Sequence, residues 1–243
     1  MPRYKLLIEY DGTRYSGWQR QPNTPTVEQA VEDGLGRILQ HEVDVIGQGR
    51  TDSGVHAEEQ VAHFDVSDTL DEEKLLYGLL GVLPKDITAY ALEKVEDDFH
   101  ARFDAKARQY RYQLIGRPSA LHRKWTCRVL GEFNPEVFKA CAGMVQGVHD
   151  FARFAKKTGE LPHTLCEVTV SEAWQEEGAM FCYRIRANRF LHNMVRRLVG
   201  SMLKVARGKE PMDYFREMLE HPYGKEGGHK APAKGLILEK VFY

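Results

Sequence analysis

A chain of 243 residues, 42% hydrophobic and 28% charged, has the composition of an ordinary globular protein, with core material for one large domain or two small ones. No apolar run approaches the roughly 20 residues of a membrane helix. The opening Met1-Pro2-Arg3-Tyr4-Lys5 leads into a strand pattern with no signal-peptide core, so a cytoplasmic protein is expected.

Tyr4 to Tyr10 reads as a strand closed by the turn pair Asp11-Gly12. A loop dense in aromatic, amide and guanidinium groups follows, from Arg14 to Gln21. Thr26 and Gln29 have capping-box spacing, and Val27, Val31, Leu35, Ile38 and Leu39 then share one helical face. Strands are expected at 43–47 and 60–66, a helix begun by Asp71 carries Leu75, Leu76, Leu79 and Leu80, and a strand runs from Ile87 to Val95. This order is βαββαβ, the split βαβ unit of ferredoxin-like folds.

A second pass starts near Lys106. It predicts a strand at 109–115, a helix at 133–145 with Asn134 as cap and Pro135 in the first turn, and strands at 166–174 and 180–187 joined by Gln175-Glu176-Glu177-Gly178. A helix through Leu191, Met194, Val195, Leu198, Val199 and Met202 and a closing strand at 236–242 complete it, with insertions at 116–132, 149–164 and 208–235. The predicted fold is therefore α+β. Two βαββαβ halves resembling ferredoxin or RNA-recognition modules, residues 1–104 and 105–243, have mainly antiparallel sheets and meet at a central cleft. Ligand sites concentrate at such junctions.

Net charge is only -1, but it is unevenly spread. Eight Lys or Arg residues stand against the single acid Asp104 between Ala101 and Arg128, and eight more stand with no acid between Arg184 and Lys209. Residues 58–98 carry twelve acids against three lysines. Basic segments of this kind are the electrostatic footprint of phosphate binding, and they also serve as solvated faces. The four cysteines are widely spaced with no Cys-x-x-Cys pair, which points to buried free thiols rather than zinc ligands or disulfides.

The stretch Gly49-Arg50-Thr51-Asp52-Ser53-Gly54-Val55-His56-Ala57 lies between two strand patterns, as a loop on a rigid scaffold. A cation such as Arg50 near Asp52 would favour the ionised carboxylate that a nucleophile or base needs, while an Asp in a turn also commonly bonds to backbone. Gly47-Gln48-Gly49 is not a dinucleotide fingerprint: Asp52 occupies the third glycine's place and a strand follows. Ser53 lacks the strand–turn–helix elbow of a serine nucleophile. His56 and His63 lack further ligands at metal spacing. Strand alternation puts Tyr110 and Tyr112 on one face, with Gln109 and Arg111 on the other. Asn193, Arg196, Gly200 and Lys204 line one flank of the last helix, where a glycine permits close approach.

Six blocks, in order along nearly the whole chain, resemble the tRNA pseudouridine synthase A family. They are Tyr10-Asp11-Gly12 with Gly17-Trp18-Gln19-Arg20-Gln21, Gly49 to Ala57, Asp97 to Phe103, Arg108 to Tyr112, Met194-Val195-Arg196 with Val199-Gly200, and Ala231-Pro232-Ala233-Lys234-Gly235-Leu236. The resemblance implies a homodimeric enzyme without metal or organic cofactor that converts uridine to pseudouridine at positions 38 to 40 of the tRNA anticodon arm. By the same resemblance Asp52 is the catalytic residue attacking the flipped-out nucleotide, and Tyr110 stacks on the target base. Arg50 helps hold that base out, and Arg196 pairs with the catalytic aspartate. Ser53 stands where alanine is frequent, and Gly78-Leu79-Leu80-Gly81 replaces an asparagine-containing turn. The energetic demands agree: extruding a base costs a few kcal/mol and calls for aromatic and cationic compensation. A non-catalytic RNA-binding module is the alternative, since stacking residues need no aspartate.

Overall fold

The computed structural model describes residues 1–156, 163–176, 178–224 and 226–243. Residues 157–162 of the expected 149–164 insertion, and Glu177 of the expected turn, lie outside them. The elements in chain order are β1 (Arg3–Tyr10), α1 (Val27–Leu39), β2 (Ile46–Gly47), β3 (His56–Asp65), α2 (Glu72–Val82) and β4 (Ile87–Val95). Next come β5 (Ala107–Ile115), β6 (Cys127–Arg128), α3 (Pro135–Met144), β7 (Gly147–Asp150), β8 (Leu165–Gln175) and β9 (Met180–Ala187). The chain then continues through α4 (Met194–Ala206), α5 (Met212–Glu220) and β10 (Leu236–Phe242). The fold is α+β with mostly antiparallel strand pairing.

The chain forms two compact units, Met1–Lys106 together with Ile237–Tyr243, and Ala107–Leu236. In the first, strands lie in the order β4-β1-β3-β10, with β2 also on β3. Alternation on β1 buries Tyr4, Leu6, Ile8 and Tyr10 on one face, as the period-2 pattern requires. The apolar stripes of α1 and α2 supply Val27, Val31, Leu35, Leu75 and Leu79 to the core. Asp71 caps α2 by accepting from the Lys74 amide at 3.0 Å.

Two local expectations are corrected here. The 43–47 strand is reduced to Ile46–Gly47, because Val43 and Val45 are buried without joining a ladder. The capping box at Thr26 does not form: its hydroxyl is buried without a hydrogen-bond partner. The first amides of α1 are taken instead by main-chain carbonyls, Val27 N donating to Gly17 O at 3.2 Å and Glu28 N to Trp18 O at 3.0 Å. The aromatic loop is thereby tied to the helix start.

In the second unit the order is β5-β9-β8-β7, with β6 parallel to β5. Asn134 caps α3 as its sequence requires, its side-chain oxygen accepting from the Glu136 and Val137 amides at 3.0 and 3.2 Å. Val195, Leu198 and Met202 are buried, so the apolar stripe of α4 faces the core, and Leu191, expected within this helix, is buried just ahead of it. The closing strand β10 pairs parallel with β3, Ile237 opposite His56, and so completes the first unit rather than the second βαββαβ pass. All four cysteines are buried free thiols, and desolvation pushes Cys141, Cys166 and Cys182 up to about 11. No helix among the described residues is long and apolar enough to cross a membrane.

Candidate active site

Asp52 sits half-buried between β2 and β3 in the first unit, on a loop shorter than its sequence suggests, because β3 begins at His56. The residues around it are tied to the 10–18 segment. Trp18 N donates to Thr51 O at 3.3 Å, and Gly54 N donates to Tyr15 O at 3.2 Å. The Ser53 hydroxyl donates to the same Tyr15 carbonyl at 3.3 Å, and the Tyr10 hydroxyl lies 2.8 Å from Thr51 Oγ1. Within the loop, Val55 N donates to Asp52 O at 3.1 Å, making a tight turn with Gly54 at φ +76°. On the opposite flank, Gln48 Nε2 donates to Gln60 Oε1 at 3.0 Å, and Gln60 Nε2 donates to Gly49 O at 3.2 Å. Buried amides on both strands thus satisfy the loop's entry.

Just beyond the loop, His56 Nδ1 lies 3.1 Å from the Gly12 amide and 3.2 Å from Asp11 Oδ1, which ties the start of β3 to the turn after β1. Trp18 is fully buried, its indole N–H donating to Glu28 Oε1 at 3.0 Å, while Glu28 Oε2 accepts the Arg20 amide at 2.7 Å. The aromatic-rich loop therefore spends Trp18 on packing. Tyr15 is likewise buried, donating to Asp86 Oδ1 at 2.6 Å; burial and that carboxylate raise its pKa. Arg50 is exposed, and its Nε donates to the amide oxygen Oε1 of Gln19 at 2.6 Å rather than to a carboxylate. A cavity of about 860 Å³ is lined by Arg14, Tyr15, Thr26, Gln29, Asp33 and Pro84 among others, and neither Asp52 nor Arg50 lines it.

Tyr110 and Arg196 belong to the second unit. Tyr110 faces Ile185 across the β5–β9 ladder and is 9% exposed. Phe190 meets its ring edge-on, centroids 5.1 Å apart and planes at 89°, which fixes the orientation of the tyrosine plane. Phe190 carries no sequence signal of its own, although it sits in the Asn188 to Arg197 stretch. Tyr112 is fully buried and donates to Pro232 O at 2.8 Å; desolvation raises its pKa well above the ordinary value. It is a core residue.

Arg196 is held through both its side chain and its main chain. Its Nε donates to Ala231 O at 2.9 Å and its main-chain carbonyl accepts Ala231 N at 2.9 Å. A further bond runs to Asn193 Oδ1 at 3.3 Å. The 229–231 segment can approach α4 so closely because residue 200 is glycine: a β-carbon there would lie 2.0 Å from His229 O. The block Ala231-Pro232 thus has a mechanical reason, seating both Arg196 and Tyr112. Among the described residues no group of three or more His, Cys, Asp or Glu side chains could hold a metal ion.

In the first unit a carboxylate stands on a braced loop; in the second an arginine is clamped and a tyrosine ring is oriented by Phe190. Comparison decides the family. A tRNA pseudouridine synthase family model matches residues 6–104 and 141–243. The chain belongs to the tRNA pseudouridine synthase family. The tRNA pseudouridine synthase A of Chlorobaculum tepidum is 42% identical over 240 residues, 98% of this chain and 97% of that one. That of Bacteroides thetaiotaomicron is 39% identical over 245 residues, 100% of this chain and 91% of that one. A solved archaeal box H/ACA sRNP complex shows only a distant likeness, 14% identity and a TM-score of 0.37 over 80% of this chain and 43% of that one. As a tRNA pseudouridine synthase, the chain carries Asp52, Arg50, Tyr110 and Arg196 on elements whose local geometry is fixed by named partners.

Proposed function

We propose that this tRNA pseudouridine synthase isomerises uridine to pseudouridine at positions 38 to 40 of the tRNA anticodon arm, with Asp52 as nucleophile. The observation that carries the reading is full-length similarity to tRNA pseudouridine synthase A relatives, joined to the placement of Asp52 on a loop braced from both sides. Asp52 attacks the flipped-out nucleotide, the base detaches from the ribose, rotates and is rejoined through carbon. In this scheme Tyr110 stacks on the target base, Arg50 helps hold it out, and Arg196 supplies positive charge for the carboxylate.

The isomerisation is redox-neutral and transfers no outside group, so it calls for no cofactor. The working form is a cytoplasmic homodimer, a reading supported by the family resemblance. Basic stretches at 101–128 and 184–209 supply charge for a folded RNA. Tritium release from uridine-labelled tRNA tests the assignment. Asp52→Asn is expected to abolish release while tRNA binding survives. Release at the wild-type rate would remove Asp52 from the mechanism, and binding without release by the wild-type protein would favour an RNA-binding module.

A further inference from the structure

The main chain around Asp52 is fastened to residues 10–18 at points of two kinds. Contacts to the main chain of Tyr15 and Trp18 are of a kind that many sequences could supply, including that of the Ser53 hydroxyl. The other kind is a pair of side chains, Tyr10 and Thr51, whose hydroxyls lie 2.8 Å apart in the interior, at 4% and 7% exposure.

The contact lies beside an irregularity of the β1–β3 ladder, in which β3 carries one extra residue. Ile8 stands opposite Gln60, so a regular antiparallel ladder would set Tyr10 opposite Glu58; the register shifts and sets it opposite Ala57. The β1–β4 ladder shifts as well, with one extra residue on β4 opposite the step from Leu7 to Ile8. Such bulges commonly re-aim a side chain beside an active site. Close passage of the next turn reinforces the arrangement: a β-carbon on Gly12 would lie 1.9 Å from Val55 O. Thr51 is β-branched and stiff about χ1, so fixing its hydroxyl fixes its backbone, and the next residue is Asp52.

We propose that Tyr10 is a positioning residue for the reaction, acting through Thr51 to set the direction from which the Asp52 carboxylate meets the nucleotide. This rests on the reading of Asp52 as nucleophile. Tyr10 does not touch substrate in this scheme; it keeps the loop in one arrangement, and displacement of a reacting group by about 1 Å costs on the order of a hundredfold in rate.

The test is a double-mutant cycle read by single-turnover pseudouridine formation, tRNA affinity and thermal melting. Tyr10→Phe keeps the ring beside Trp18, 6.3 Å between centroids, and removes only the hydroxyl. Tyr10→Phe and Thr51→Val are each expected to slow the chemical step roughly ten- to hundredfold with tRNA affinity within about twofold. The double variant should be no slower than either single, because both remove the same hydrogen bond. Thr51→Ser, which keeps the hydroxyl, should recover most of the rate that Thr51→Val forfeits. Wild-type rates in Tyr10→Phe, multiplicative losses in the double variant, or a loss that merely tracks the unfolded fraction would each overturn the proposal. If Tyr10→Phe does not fold, the Thr51→Ser and Thr51→Val pair decides it alone. An active Asp52→Asn would instead overturn the nucleophile assignment itself, so the two failures are distinguishable.

Discussion

Gly17 and Thr51 are in backbone contact: a β-carbon on Gly17 would lie 2.4 Å from the Thr51 carbonyl oxygen, and Gly17 has φ +94°. One residue thus joins two tasks, since the Gly17 carbonyl also receives the first amide of α1. Gly17→Ala is expected to cost about 1–3 kcal/mol from strain at this backbone conformation, with further loss from the clash. Because the atom met is main chain, relief requires the Asp52 loop to move. Urea unfolding should show the stability loss, and the folded fraction should show reduced pseudouridine formation. A variant with wild-type stability and rate would mean the loop gives way freely.

Glu28 is 7% exposed and its carboxylate satisfies two donors, the Trp18 indole and the Arg20 amide. Glu28→Ala leaves both without an acceptor, at about 1–3 kcal/mol for each buried donor so stranded. Glu28→Gln keeps one acceptor oxygen and should cost less than half as much. Denaturant midpoints rank the two variants, and equal midpoints would show that water replaces the carboxylate. The emission of Trp18 should shift to the red in Glu28→Ala if the loop opens.

His63 couples stability to pH. It is 1% exposed, and its Nδ1 accepts the Ala101 amide at 3.2 Å, which requires an unprotonated nitrogen. Burial first, then the charges of Arg3 and His100 against those of Asp65 and Asp104, carry its pKa from 6.5 down to about 4. The folded state therefore holds fewer protons than the unfolded chain between these values, so its contribution is complete above 6.5 and is lost as pH falls toward 4. Asp65, held below its ordinary range by the Arg3 hydrogen bond, stays ionised across this window. Urea melts between about pH 7 and about pH 4.5 should show a fall in wild-type stability that is smaller in His63→Gln. Parallel curves for the two proteins would exclude His63 as the source.

Arg117, Arg123 and Arg128 are exposed between β5 and the start of β6 or within it, in a stretch with no acid. Binding to phosphates releases counterions, so the logarithm of tRNA affinity should fall linearly with the logarithm of salt concentration. Replacing Arg123 and Arg128 by Ala should weaken binding and reduce that slope by roughly 0.7–0.9 for each phosphate no longer neutralised. An unchanged slope would place the RNA elsewhere.

The order of the first six elements was legible, though not the bounds of β2 and β3, because two periodicities coexist there: alternate burial on β1, and the three- and four-residue spacing of α1 and α2. What escaped depends on partners distant in sequence. The first residues of β3, His56 to Glu59, are too polar to read as a strand, yet β1 and β10 pair with that end. Helix α5 did leave a signal, Pro211 followed by Phe215, Met218 and Leu219 at helical spacing, all three buried. Arg153 left none: an arginine among phenylalanines is buried by donating to the carbonyls of Glu217, His221 and Glu226. Within the site, the importance of the 49–57 stretch was legible, but its bracing was not. Tyr10 reads as a core aromatic at a strand end, and its contact with Thr51 joins residues 41 apart in sequence, beyond the reach of any local pattern.

Strand β10 belongs to the first unit although the whole second unit precedes it in the chain. The first unit is discontinuous: Phe242 O accepts Lys106 N at 2.8 Å, Glu59 Oε1 accepts Val241 N at 3.1 Å, and Tyr243 donates to Ala101 O at 2.7 Å. A ribosome supplies residues 237–243 only after the whole second unit has been synthesised. Until then the edge of β3 that leads out of the Asp52 loop has no neighbour at His56 and Ala57. A nascent chain, or one clipped before Ile237, would hold every residue assigned to the chemistry and still present an unfinished loop support.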